Sequence, residues 1–176
     1  MAKDIKTYYE QSYIDNTLRL REVLQTLPSF TKDYFRAVEP TTSAKTRISY
    51  AYDIRVFFHF LIENNPIYHD YTTTQFTLQD LERVEPIDIA EYLEYLKVYK
   101  ADDNQVITNG EKGLARKFSS LRSFYRYFYR HQMIEKNPTI FVDMPKLHDK
   151  AIIRLDIDEV ALLLDYVENC GKELTG

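Results

Sequence analysis

Residues 111–132 read EKGLARKFSSLRSFYRYFYRHQ. At ~100° of rotation per residue, Leu114, Phe118, Leu121, Tyr125 and Phe128 fall on one side of a helix, whereas Lys112, Arg116, Ser119, Ser123, Arg126 and Arg130 fall on the other. Lys117 and Arg122 flank the apolar stripe, and no acid interrupts the basic face. Solvated helix faces usually mix signs, because opposite charges four residues apart attract and like charges repel. Here Arg122, Arg126 and Arg130 follow one another at that spacing. Such a face is costly alone and becomes favourable when an external row of phosphates supplies the negative charge. Serines between the arginines allow close approach and can donate to phosphate oxygens. The plainer alternative is a solvated face partly neutralised by acids elsewhere in the chain. The aromatic run 124–131 is read as core and its flanks, not as a platform for stacked bases.

Net charge is −4, which by itself argues against a nucleic-acid partner. The distribution reverses that conclusion. Residues 63–103 hold 10 acidic and 3 basic side chains, and residues 111–136 hold 7 basic and 2 acidic. A basic patch is thus hidden inside an acidic average.

Four glycines and six prolines in 176 residues supply few of the turns a β fold needs, and the apolar residues recur at helical spacing, so an all-α bundle is expected. Helices are expected over 17–27 and 29–38. A longer one should open after Thr42 or Ser43 as N-cap, close at Asn65-Pro66, and form the centre of the bundle because Ile54, Val56, Phe57, Phe58, Phe60, Leu61 and Ile62 leave it apolar on nearly every face. Residues 67–77 read as a polar loop with nothing to bury, 87–99 as a helix started by Pro86 and ended by Lys97 and Lys100, and 102–110 as turn. Asn137-Pro138 ends the unit, residues 139–142 add one more turn, residues 145–154 read as a linker, and Asp156 with Glu159 caps a last helix running to about Cys170. The single cysteine allows no internal disulfide and no thiolate metal site, and no stretch is apolar for ~18 residues. A cytoplasmic protein with no membrane partner and no cofactor is expected.

Two stretches resemble the N-terminal core-binding (SAM-like) domain of tyrosine recombinases and phage integrases, the Xer-like group especially. They are Thr46-x3-Tyr50-x2-Asp53-Ile54-x2-Phe57 and the run Arg116-Lys117-Phe118-Ser119-Ser120-Leu121-Arg122-Ser123-Phe124-Tyr125. Ile134 to Pro138, Pro145-Lys146 and Leu155-Asp156-x2-Glu159-Val160 follow in the family's order. The resemblance implies a helical domain that covers one side of duplex DNA while a catalytic domain covers the other. Its boundaries here would be 1–40 for an N-terminal helical extension, 41–144 for the core-binding domain, 145–154 for the linker and 155–176 for the start of a truncated catalytic domain. Two helices of that family enter the major groove by their N-terminal portions. By position these are residues 43–49, with Ser43, Lys45, Thr46, Arg47 and Ser49, and residues 112–119, with Lys112, Arg116, Lys117 and Ser119; Arg122, Ser123 and Arg126 continue the second surface. Helix N-termini are natural phosphate sites.

The family's chemistry, as the resemblance implies it, uses a tyrosine nucleophile with arginines, a lysine and histidines, all in the catalytic domain. This sequence stops at Gly176 before the first arginine-bearing turn, and none of His59, His69, His131 or His148 opens a His-x-x-Arg motif. No catalytic or metal site is therefore expected, Asp102-Asp103 being read as turn residues. The expected function is sequence-specific binding of double-stranded DNA within a recombinase that integrates or exchanges DNA, with other recombinase protomers as partners. The competing expectation is a helical protein-interaction module that docks an acidic partner through the basic face.

Overall fold

The computed structural model describes residues 8–101 and 104–146, together with residues 158, 160–162 and 164–167. Its helices are α1 (Tyr8–Gln25), α2 (Thr31–Val38), α3 (Ala44–Asn64), α4 (Leu78–Arg83), α5 (Pro86–Tyr95) and α6 (Glu111–Arg130). A short antiparallel hairpin of β1 (Val98–Lys100) and β2 (Val106–Thr108) joins α5 to α6. The fold is all-α, as the composition requires, with this hairpin as its one sheet among the described residues.

Helix α3 is the centre. Ser43 is extended and its Oγ accepts from the Thr46 amide at 3.1 Å, which caps the helix start. Pro66 ends it, and Asn65 turns to cap a 3₁₀ turn over Pro66–Tyr68 by accepting from the Ile67 amide. Ala51, Ile54, Phe57, Phe58, Phe60 and Leu61 are buried along it, and α1 and α6 both pack on it. Leu20, Val23 and Leu27 join the same core, so the described part of residues 1–40 packs with the bundle.

Rings fill the contact between α3 and α6. Phe58 meets Phe124 edge-on at 6.4 Å, Phe57 meets Tyr125 at 6.2 Å, and Tyr34 of α2 meets Phe124 at 5.2 Å. Edge-to-face geometry sets the positive ring edge against the negative face of its neighbour. The buried phenols are tethered: Tyr68, Tyr92 and Tyr125 donate to the carbonyls of Asp80, Asp53 and Leu81, and Tyr34 donates to Ser123 Oγ at 3.0 Å. Burial pushes Tyr34 and Tyr68 each up to about 12, and drives Tyr92 and Tyr125 upward as well.

Several expectations are corrected. Residues 67–77 are not an unburied loop: Tyr68, the last residue of a 3₁₀ turn at Pro66–Tyr68, and Phe76, which follows a second at Thr73–Gln75, meet in the core with ring centres 4.9 Å apart and planes tilted by 46°. Helix α5 stops at Tyr95 instead of Tyr99, because Val98-Tyr99-Lys100 pairs with Val106-Ile107-Thr108. These β-branched and aromatic residues favour extended backbone, and Asn104 takes the left-handed conformation, φ 62°, at the turn between them. Lys97 and Lys100 consequently lie outside the helix. α6 ends at Arg130, two residues early, in a Schellman closure: the Met133 amide donates to Phe128 O and the Gln132 amide to Tyr129 O, with Gln132 at φ 54°.

Candidate nucleic-acid interface

The first turns of α3 divide the predicted residues between surface and interior. Ser43 and Lys45 are exposed, Thr46 and Ser49 half-buried. The Ser49 hydroxyl donates back to the Lys45 carbonyl at 3.0 Å. Arg47 lies inside. Its side chain is 4% exposed and binds Glu39 twice, through the carboxylate at 3.1 Å and the main-chain carbonyl at 3.2 Å. Arg47 is committed to holding the α2–α3 junction and is no surface donor in this conformation.

On α6 the stripe lies as expected, with Phe118, Leu121, Tyr125 and Phe128 buried and Leu114 packed against the core. The buried sector is wider than the stripe. Ala115, Lys117, Ser120 and Phe124 are buried too, because α6 is covered by more than one neighbour. Lys112, Arg116, Ser119, Arg126 and Arg130 are exposed. Arg126 and Arg130 line a crevice with Tyr34, Val38, Ser123 and His131, so the C-terminal half of α6 opens beside the end of α2. Ser123 accepts from Tyr34, and Ser119 donates to the Ala115 carbonyl. Among the described residues, no acid pairs with Lys45, Lys112, Arg126 or Arg130.

Two cations of the predicted face have other partners. Arg122 donates from Nε to Thr139 O at 3.2 Å and from Nη2 to Val142 O at 3.1 Å, and its guanidinium lies 4.9 Å above the Phe118 ring. It ties the segment after α6, including a 3₁₀ turn at Pro138–Phe141, to the helix. Lys117 is buried under the hairpin, its ammonium 5.8 Å from the Tyr99 ring centre and 3.1 Å from Asp53 Oδ1. Asp53 also takes Arg116, so an acid does reach the α6 cations, from α3 instead of from α6 itself. Sequence reasoning missed this role. The signal was a carboxylate set among apolar residues in the central helix of the bundle, where an ion survives only with a partner.

Among the described residues no helix is long and apolar enough to cross a membrane, and no cluster of three or more His, Cys, Asp or Glu side chains is placed to hold a metal.

Residues 31–132 match the family model for the phage integrase N-terminal SAM-like domain. Among curated proteins, the chain is 32% identical over 145 residues to a tyrosine recombinase XerC of Caldanaerobacter subterraneus, covering 80% of this chain and 40% of that one. A Pediococcus pentosaceus tyrosine recombinase XerC is 34% identical over 124 residues, covering 70% of this chain and 35% of its own. A tyrosine recombinase XerD of Staphylococcus epidermidis is 32% identical over 102 residues, covering 48% and 35%. The chain thus spans well under half the length of these relatives. No solved structure matches it. With the match covering the elements from α2 to α6, this chain belongs to the phage integrase N-terminal SAM-like family, the N-terminal domain of tyrosine recombinases.

Proposed function

We infer that this chain binds double-stranded DNA as the N-terminal clamp half of a site-specific tyrosine recombinase, and that strand cleavage and rejoining belong to a catalytic domain of the parent protein. The observation that carries the reading is the run of exposed Lys112, Arg116, Arg126 and Arg130 on one helix, interspersed with serines and, among the described residues, paired with no acid other than Asp53. Lys45 beside the capped start of α3 supplies a second point of attachment, at a helix end whose amides favour an anion. Of the predicted contacts, Ser43, Lys45, Thr46, Ser49, Lys112, Arg116, Ser119, Ser123 and Arg126 remain in the proposed interface. Arg47, Lys117 and Arg122 serve as its internal supports. Relatives named as tyrosine recombinases support the parent activity. The exposure of Val160, Leu162, Leu164, Tyr166 and Val167 on a further helical stretch fits a segment whose apolar side belongs against another unit.

Fluorescence anisotropy of a labelled duplex, titrated with the chain at a series of salt concentrations, tests the reading. Four or so phosphates neutralised by Lys45, Lys112, Arg116, Arg126 and Arg130 give a slope of log affinity against log salt of about −3 to −4. Affinity that does not vary with salt, or that an acidic polypeptide abolishes at equal charge concentration, overturns it in favour of protein docking.

A further inference from the structure

Where α3 crosses α6, one carboxylate holds two consecutive residues. Asp53 Oδ2 accepts from Arg116 Nη1 at 2.6 Å, and Oδ1 accepts from Arg116 Nη2 at 2.9 Å and from Lys117 Nζ at 3.1 Å. The Asp53 side chain is 1% exposed and that of Lys117 9%, yet that of Arg116 is 48% exposed. The acid is thus anchored in the interior by one cation and reaches the surface through the other. A guanidinium has five N–H donors in a rigid plane, and a fork-on-fork pair uses one hydrogen from each terminal nitrogen. The Nε–H and the outer terminal hydrogens stay unused, since Arg116 makes no other hydrogen bond among the described residues.

We propose that Asp53 is a positioning residue for duplex binding, clamping the Arg116 guanidinium on α6 so that its unused edge meets a DNA phosphate already oriented. The inference rests on the duplex-DNA reading above. Holding the fork before binding removes most of the side-chain entropy that a free arginine loses on contact. Charge counting and positioning make opposite forecasts here. Removing the acid raises the net charge by one and, if charge alone governs, tightens DNA binding; if Asp53 orients Arg116, it weakens it.

The test uses the 176-residue chain with Asp53→Asn, Arg116→Lys and the double variant, each titrated against a labelled duplex and each checked by thermal unfolding. The expected result is roughly tenfold weaker binding for either single variant, although one adds positive charge and the other conserves it, and no further loss in the double variant because both break one unit. In the free wild-type chain, the Arg116 Nη1 and Nη2 hydrogens held by Asp53 are expected to give resolved, slowly rotating guanidinium resonances, and in folded Asp53→Asn these are expected to average. Equal or tighter binding by a folded Asp53→Asn chain overturns the proposal while leaving the duplex reading intact. Should that variant unfold, Arg116→Lys decides, since it retains the Asp53–Lys117 pair; wild-type affinity there overturns the proposal. A wild-type chain that binds no duplex removes the duplex reading, and this inference with it.

Discussion

Tyr34, Tyr68, Tyr92 and Tyr125 sit in the core as neutral donors, and their burial links stability to pH at the alkaline end. The usual phenol value is 10.0, and Tyr34 and Tyr68 are each raised to about 12, chiefly by desolvation. A raised value means that the neutral form is favoured in the folded state. The associated stability is complete below the unfolded value near 10 and is lost as pH climbs toward 12. The expected outcome is a helix signal that is flat from neutral pH to about 10 and then collapses together with a late rise in tyrosinate absorbance. Tyrosinate that forms fully near pH 10 with helicity unchanged would place these rings in solvent. At the same scale, the buried charges explain what the helical wheel left out. Arg116, Lys117 and Arg122 look alike in the sequence, but the first two depend on Asp53, 63 and 64 residues away, and the third on Thr139 and Val142, 17 and 20 residues away. No local spacing encodes those partners.

At the scale of elements, the strongest patterns were the legible ones. The capped start of α3 at Ser43 and its stop at Pro66, the Pro86 start of α5 and the apolar stripe of α6 all follow from local chemistry that the fold retains. Helix α4 was not anticipated, though Thr77 and Asp80 form a reciprocal cap, with Asp80 Oδ2 accepting from the Thr77 amide at 2.8 Å. With six residues it is too short for periodicity to show. The reach of α1 back to Tyr8 was missed because Tyr8, Tyr9 and Tyr13 are exposed and leave no buried stripe to read. Arg122 offers a test of how elements are joined. Arg122→Ala leaves the carbonyl of buried Thr139 without its donor, so a loss of about 1–3 kcal/mol in urea unfolding is expected, with faster proteolysis after α6. A change below about 0.5 kcal/mol would mean that Pro138–Phe141 is held by its apolar contacts alone.

For the whole molecule, an acidic chain with one basic helix is an arrangement that a net-charge argument misjudges. The acids of residues 63–103 belong to other elements, and α6 keeps Lys112, Arg126 and Arg130 in solvent without acidic partners among the described residues. Helix α6 also forms much of the core, with Phe118, Phe124, Tyr125 and Phe128 fully buried, so the surface proposed to meet DNA is backed by close-packed rings. Rigid backing favours a fixed register of donors over a loose cloud of charge. The most direct measurement is duplex affinity, across a salt series, for the wild-type chain, for Lys112→Glu combined with Arg126→Glu, and for Lys100→Glu on the hairpin. The α6 pair is expected to lose at least about tenfold in affinity and to flatten the salt slope by about two, one per phosphate contact removed, while Lys100→Glu stays within about twofold of wild type. Equal losses from the α6 pair and from Lys100→Glu would show that overall charge, not this helix, governs association.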